Sequence, residues 1–417
     1  MLTGRGVALG GLAVLAWALG RFLGVDELYV VSGAAAAMIV LAVVATRVSS
    51  TRIAVRRRTA TPHAQHGARI PIELALRNDG RLPASLLLVE DRRPPGIGVD
   101  ADDDGARVVV QGLRPRQVAD LEWHAIGYRR GRYTIGPVRI RLRDPFGLAE
   151  RSRRYKGTDE VVVFPPIERL SNVGMRGIRH GMDSSAARRV FHRGDEFHTM
   201  RTYVVGDDLR HVHWPSTAHH GTLMVRQHEL PWQASAVVYV DGRAHLHRGT
   251  ADRSTFERAV SVGASVLVHL HHQRYDVRLV SVDGADATPR AGGHLEEAMT
   301  QLAELRPATD RSPLAPLAAT ENLGNGVLVA VVRPPADDLD LADHAEVRAL
   351  QRAGQSYASR IALVVEHDDS VRCATLARLL GLAGWRSAVV GAGVPLDEAW
   401  QRAVVGTDIA RTTGARR

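Results

Sequence analysis

Two long apolar runs open the chain, a region of period-two alternation follows, and the last part alternates apolar strands with amphipathic helical stretches. Gly6–Gly20 carries no charge and, with Arg21 snorkelling, extends through Val25; Leu28–Thr46 is a second uncharged run of 19 residues. At about 1.5 Å per residue such a run reaches roughly 28 Å, enough to cross the hydrocarbon core of a bilayer. Asp26 and Glu27 lie between the runs, Arg5 precedes the first, and Arg47, Arg52, Arg56, Arg57 and Arg58 follow the second. The positive-inside rule therefore places both ends in the cytoplasm. A cleaved signal peptide is the rival reading. No clear A-x-A site follows the first run, and the second span arrives at once, which favours the hairpin.

From about Thr61 to Pro165 the period is two. Ile70, Ile72, Leu74 and Leu76 alternate with other residues and predict a half-buried strand that ends at the Asn78-Asp79-Gly80 turn. Ser85–Asp91, Ala106–Leu113, Val118–Tyr128 and Arg132–Arg143 read as further strands, separated by clusters such as Pro94-Pro95-Gly96 and Gly136-Pro137. Short strands at this spacing predict an antiparallel β-sandwich. Arg139, Arg141 and Arg143 would share one sheet face, either as a solvated outer surface or in contact with anionic lipid.

From Ser235 onward the pattern is α/β. Apolar strands are predicted at Ala236–Asp241, Asp276–Val282, Gly326–Val332, Ile361–Glu366 and Arg386–Val390. Helices are predicted at Arg253–His272, His294–Leu305, Ala342–Ala353 and Val371–Leu382. Continuous apolar strands joined by long helical connections imply a parallel sheet covered on both faces, with ligands at its carboxyl edge, where Asp241 closes the first strand.

Composition narrows the classes. Hydrophobic residues at 45% and charged residues at 24% are ordinary for a globular protein, which excludes wholesale disorder. The single Cys373 excludes an intramolecular disulfide framework and a thiolate zinc cluster within one chain. The net charge of +9 comes from 53 Arg and one Lys (Lys156), a bias that reflects arginine-rich codon usage more than a nucleic-acid surface.

The densest motif runs from Gly194 to Glu229. Its carboxylates (Asp195, Glu196, Asp207, Asp208, Glu229) nearly match its arginines (Arg201, Arg210, Arg226), with Phe197, Tyr203 and Trp214 between them. That mixture suits a compact network of ion pairs and aromatic plates, and a nucleic-acid patch would instead show unopposed positive charge. Gly206 permits a tight turn, and Asp207 or Asp208 can cap the next segment. The runs G-D-E-F, R-T-Y, G-D-D-L-R, H-W-P-S-T-A and L-M-V-R resemble the hallmark of the domain of unknown function 58 family. Asp144-Pro145-Phe146-Gly147-Leu148 upstream and the paired N-terminal spans extend the likeness over essentially the whole chain.

The resemblance implies a membrane-tethered protein whose C-terminal half is similar to a von Willebrand factor A domain. It also implies a partner among AAA+ ATPases of the MoxR type, beside which such proteins are commonly encoded. No enzymatic activity follows from it. The motif residues expected to build the structure or bind a partner are Arg201, Tyr203, Gly206, Asp207, Asp208, Arg210, Trp214, Ser216 and Ala218. His198, His211, His213, His219, His220 and His228 offer zinc-type donors, yet their spacing matches no established pattern. Ser216 lacks a G-x-S-x-G elbow.

In von Willebrand factor A domains the first-strand edge carries D-x-S-x-S, which ligates Mg²⁺. Here it reads Asp241-Gly242-Arg243-Ala244-His245, with one serine position replaced by a cation. Asp241 is thus a degenerate metal-site position, better paired with the neighbouring guanidinium than with a metal. No cofactor, resident metal or specific nucleic acid is expected.

The sequence therefore predicts a transmembrane hairpin (1–46), a basic juxtamembrane linker (47–60), a β-sandwich (61–165), a motif-bearing connector (166–232), a von Willebrand factor A-like α/β domain of Rossmann type (233–405) and a basic tail (406–417). Such a chain is a multi-pass plasma-membrane protein with its bulk in the cytoplasm, acting as a scaffold for protein–protein interaction. The alternatives are a His/Asp metal-dependent hydrolase and an anionic-lipid or nucleic-acid binding protein.

Overall fold

The structure is a computed structural model that describes residues 1–50, 53–59, 61–81, 83–99, 107–172, 199–203, 212, 214–227, 235–250, 253–281, 295–309, 326–335, 340–391 and 393–405. The chain divides into two compact units, Met1–Pro166 with Leu302–Glu304, and Ile167–Gln301 with Leu305–Arg417.

The first unit begins with helices α1 (Gly4–Leu23) and α2 (Asp26–Ser50). Both are long and apolar enough to cross a membrane. Thr3 caps α1 by accepting from the amide of Gly6 at 3.2 Å, and Gly24, at φ +70°, closes its end. A left-handed residue costs glycine no steric penalty, which lets the chain reverse within two residues. Ala13, Ala16, Gly20 and Ala42 are buried, whereas Leu12, Trp17, Phe22, Val30, Leu41 and Val44 are exposed along the outer faces. Small residues inside and large apolar residues outside suit a helix pair surrounded by lipid.

Within the expected linker 47–60, residues 47–50 belong to α2 and residues 53–59 to a strand. Helix α2 runs on to Ser50, and β1 (Ile53–Thr59) pairs antiparallel with β3 (Arg69–Asn78). The reason is long-range charge. Arg57 is buried and donates to Asp91 at 2.9 Å, to Asp159 at 3.0 Å and to the Gly157 carbonyl at 2.5 Å. A basic run on its own gives no sign of carboxylates 34 and 102 residues away.

Beyond β2 (His63–Ala64) the strands are β4 (Ala84–Asp91), β5 (Ile97–Val99), β6 (Arg107–Leu113), β7 (Val118–Gly127), β8 (Gly131–Ile135), β9 (Val138–Arg143), β10 (Glu150–Tyr155) and β11 (Asp159–Val163). Two antiparallel four-stranded sheets, β1-β3-β7-β5 and β10-β9-β4-β6, share one core with the smaller sheet β2-β11-β8. Ile70, Ile72, Leu74 and Leu76 all point into that core, as the alternation required. Each such side chain contributes about 1.5–3 kcal/mol of burial. Asn78 ends β3: its amide donates to Leu113 O at 2.9 Å and its oxygen accepts from Gly80 N at 2.9 Å. The predicted strand Arg132–Arg143 is two strands in different sheets, because the chain turns at the cis Gly136-Pro137 bond, with Gly136 at φ +98°.

The Asp144–Leu148 motif is a turn that holds the start of the chain. Asp144 is buried and accepts from Phe146 N at 3.0 Å and Ala149 N at 2.6 Å. Thr3 N donates to Leu148 O at 2.9 Å, and the terminal amine of Met1 donates to Glu150 O at 2.7 Å.

The second unit contains the ribbon β12 (Thr199–Thr202) with β13 (Met224–Gln227), and between them α3 (Trp214–His220). Its main sheet is built from β14 (Ser235–Val240), β15 (Asp276–Ser281), β16 (Val327–Val332), β17 (Ser359–Val365) and β18 (Arg386–Val390). All pairings are parallel and the order is β15-β14-β16-β17-β18. The helices are α4 (Thr255–His272), α5 (Leu295–Glu304), α6 (Ala345–Gln355), α7 (Ser370–Leu382) and α8 (Leu396–Val405). Ser254 caps α4 by accepting from Glu257 N at 3.2 Å. Helix α8, not predicted from the sequence, buries Ala399, Trp400 and Ala403. The expected connector also starts inside this unit: Glu168 accepts from Leu396 N at 3.3 Å and pairs with Arg258, and Ser171 N donates to Asp397 at 2.6 Å.

Candidate functional site

The order β15-β14-β16-β17-β18 reverses direction between β14 and β16. In open parallel sheets of this kind, ligands sit beyond the carboxyl ends of the strands at that switch point. Asp241 follows β14 and Arg333 follows β16, so the topology places both residues there.

The edge is closed from within. Asp241 and Arg243 are each 3% exposed. Arg243 donates from Nε to Asp241 Oδ1 at 2.9 Å and from Nη2 to Oδ2 at 2.8 Å, while Nη1 reaches Glu346 Oε1 of α6 at 2.6 Å. This is a bidentate fork, the geometry for which guanidinium is suited. The guanidinium thus takes up the carboxylate that a divalent ion would need, and the expected pairing of Asp241 with Arg243 is what the geometry shows. His245 is exposed. Burial alone would lower the Arg243 pKa, but hydrogen bonds and charge from Asp241 and Glu346 outweigh it and raise the pKa above its ordinary value.

A second arginine braces the neighbouring strand ends. Arg333 donates to Leu246 O at 2.7 Å, to Val365 O at 2.7 Å and to Asp369 Oδ2 at 2.8 Å. Burial works to raise the Asp369 carboxyl, yet Arg333 and the amide of His367 together hold it below the usual carboxylate value. His247 bridges Asp241 O at 2.9 Å and Thr255 Oγ1 at 3.1 Å. Burial lowers its pKa, and Arg333 and Arg243 push the same way, which favours the neutral ring. Cys373 lies beside Asp369 with its thiol pushed up to about 12, by burial first and then by that carboxylate, so it stays protonated. The cleft that remains among Tyr239, Asp241, Arg243, Arg333 and Glu346 is about 20 Å³. That is room for about one water, against several hundred cubic ångströms for a small-molecule site.

Arg333, Glu346 and Asp369 were not singled out from sequence. The Val332-Arg333-Pro334-Pro335 end of β16 marks where a carboxylate is lacking, but nothing local announces that Arg333 clamps two other strand ends.

The family motif lies in the other part of this unit. Tyr203 N donates to Leu223 O at 2.7 Å, and Thr217 Oγ1 accepts from Met224 N at 3.0 Å, which joins α3 to the ribbon. Ser216 is half-buried and Ala218 exposed. Trp214, expected to be an aromatic plate in a buried network, is 67% exposed. A seven-residue helix leaves its first turn open to solvent, and among the described residues no core forms around this ring. Arg201 sits on β12; its side chain, together with Gly206, Asp207, Asp208 and Arg210, lies outside the described residues. So do His198, His211, His213 and His228. Among the described residues no group of three His, Cys, Asp or Glu side chains could hold a metal ion.

Fold and site together define a chain with an apolar helical hairpin, an antiparallel β domain and a doubly wound parallel domain whose ligand edge is filled by its own ion pairs. The sequence profile described as "Protein of unknown function DUF58" matches residues 199–331. The chain is also 26% identical over 203 residues to "Uncharacterized protein YeaD" of Bacillus subtilis (strain 168), covering 48% of each chain. The chain spans about half the length of the curated relative it matches. These findings bear out the resemblance read from the motif: residues 199–331 match the DUF58 family profile. Among solved structures, the CARDB domain of the PF1109 protein from Pyrococcus furiosus is similar to 27% of this chain and 91% of that one, at 14% identity and TM-score 0.19. The GAE domain of GGA2p from Saccharomyces cerevisiae covers 25% of this chain and 88% of that one, at 10% identity and TM-score 0.19. Neither likeness carries a functional argument.

Proposed function

We propose that this protein is a membrane-anchored scaffold whose C-terminal unit, a von Willebrand factor A-like domain without its metal, binds a protein partner through the family-motif surface. The observation that carries this reading is the exposure of Trp214 at the centre of that motif. A solvent-facing tryptophan costs solubility, and interfaces are anchored by such side chains, with truncation costing about 2 kcal/mol or more. The filled carboxyl edge supports the same reading, since the 20 Å³ cleft leaves little room for a substrate. The apolar hairpin supports a multi-pass plasma-membrane location with the bulk of the chain in the cytoplasm, because arginines flank the spans and Asp26 and Glu27 lie between them. The partner is an AAA+ ATPase of the MoxR type.

The test is co-purification of the full chain, in detergent micelles, with the purified MoxR-type ATPase of the same genome. Trp214→Ala should weaken association by about thirtyfold, the equivalent of 2 kcal/mol, and leave the melting temperature unchanged. No association at micromolar concentrations, or association indifferent to Trp214→Ala, refutes the reading.

A further inference from the structure

The outer face of the sheet β10-β9-β4-β6 carries a row of charges whose pairing is incomplete. Register places Arg154 of β10 directly opposite Arg139 of β9, Arg139 opposite Glu90 of β4, and Glu90 opposite Arg107 of β6. Like charges directly opposite on neighbouring strands are destabilising. Glu90 could relieve Arg139, but its carboxylate is directed elsewhere: Oε2 accepts from Arg141 at 3.2 Å and Oε1 lies 3.5 Å from Arg107. Arg143 is paired with Glu150 at 2.9 Å. Of the three arginines that alternate along β9, Arg139 therefore forms no ion pair among the described residues, and nor does Arg154 facing it.

These side chains surround a cavity of about 570 Å³, lined also by Arg92, Arg93, Arg107 and Pro137. Asp91 lies in the same wall and pairs with the buried Arg57 at 2.9 Å. Five guanidinium groups thus converge on a pocket whose remaining carboxylate, Glu90, is itself shared between two arginines. The volume falls in the range of small-ligand sites. Guanidinium groups recognise phosphate oxygens through paired N–H donors, and several around one pocket favour a multiply charged anion.

We propose that this pocket binds a phosphate-bearing anion of the diphosphate or phosphomonoester type, with Arg139 and Arg154 as its principal ligands. Two sources share that chemistry, a free phosphorylated solute and a lipid headgroup. Arg139 and Arg154 sit four residues along their strands from the Arg143–Glu150 end, which bonds to Met1 at the base of α1. At about 3.4 Å per residue that is roughly 14 Å along the sheet, so both sources are within geometric reach.

The experiment uses the full chain in phosphatidylcholine nanodiscs, titrated calorimetrically with pyrophosphate. One-to-one binding is expected, weakening with salt, and Arg139→Gln/Arg154→Gln should reduce the affinity at least tenfold. Both substitutions lie on the outer face and remove like-charge repulsion, so the variant should melt no lower than the parent, whereas pyrophosphate should raise the melting point of the parent alone. Repeating the titration in nanodiscs doped with phosphatidic acid separates the sources. Weakened pyrophosphate binding there, absent in the double variant, identifies the headgroup; unchanged binding identifies the free solute. In sequence Asp100, Asp102, Asp103 and Asp104 precede Arg107, so the titration is repeated with all four changed to asparagine. Tighter binding in that variant shows the chain's own carboxylates competing for the arginines. Absence of pyrophosphate binding in both backgrounds, or binding undiminished by the double variant, overturns the proposal.

Discussion

Replacing Arg243 by alanine removes both side-chain donors that Asp241 faces within the carboxyl edge and leaves only the Arg243 amide at 3.3 Å, and Asp241 has almost no access to water. Breaking a buried pair by deleting one partner costs about 3–5 kcal/mol, because the remaining charge is left uncompensated. Glu346 loses the same guanidinium, but its side chain is 25% exposed and can recover hydration, so the cost falls chiefly on Asp241. The destabilisation should therefore be about 3–5 kcal/mol at pH 7. Hydrogen exchange of the β14 and β16 amides, in the full chain held in detergent micelles, reads this unit directly. Asp241→Asn combined with Arg243→Met removes the stranded charge and should restore at least half of the loss. A deficit below about 1 kcal/mol, or a double variant no better than Arg243→Ala, would refute the assignment of Arg243 as the internal counter-ion.

Three further outcomes are expected. A Cβ at Gly326 would lie 1.7 Å from the carbonyl oxygen of Ser235, so Gly326→Ala must separate β14 from β16 and should abolish protection of their amides, while Gly393→Ala, with nothing within 4 Å, should leave protection intact. Burial lowers the folded-state pKa of His247 and His269 below 6.5, so their contribution to stability is complete above that pH and is lost as pH falls through the folded values. The melting temperature should accordingly drop on acidification below about pH 6.5, and the drop should be smaller in His247→Gln/His269→Gln; an unchanged slope contradicts the account. Calorimetric titration with Mg²⁺ and Mn²⁺ should show no submillimolar site dependent on Asp241, since Arg243 offers only donors and a fixed positive charge to a metal that prefers oxygen.

How much of this was legible in the sequence depends on how far apart the cooperating residues lie. Periodicity places β3 and the parallel strands, because alternation or continuous burial is written into consecutive side chains. The pairing of Asp241 with Arg243 is legible for the same reason, as two residues of opposite charge stand two apart at a strand end. Glu346, 103 residues from Arg243, carries no local sign of its role, and Arg57 reads as one more juxtamembrane cation until Asp91 and Asp159 are brought to it. Trp214 misleads in the other direction. An aromatic ring among alternating charges looks like a core plate, but a ring is buried only if neighbouring elements supply apolar surface, and a seven-residue helix does not do so here.

That contrast bears on where function resides. The same residue types, arginine with carboxylate, appear in three settings here. At Arg243 and Arg333 the geometry is closed: donors are matched by acceptors at the ends of β14 and β17, on α6 and before α7. At Arg57 a cation holds β1 against the segment before β11. At Arg139 and Arg154 the pairing is open among the described residues, since Glu90 is already shared by two other arginines. Satisfied pairs define structure, and their loss is read as unfolding. An unsatisfied row has no structural reason to stay positive, because any one arginine in it could be neutral without leaving a partner stranded. Such a row on a folded surface is the feature that a ligand would account for, and the contrast between a melting point that holds and an anion affinity that falls is what separates it from the two closed networks.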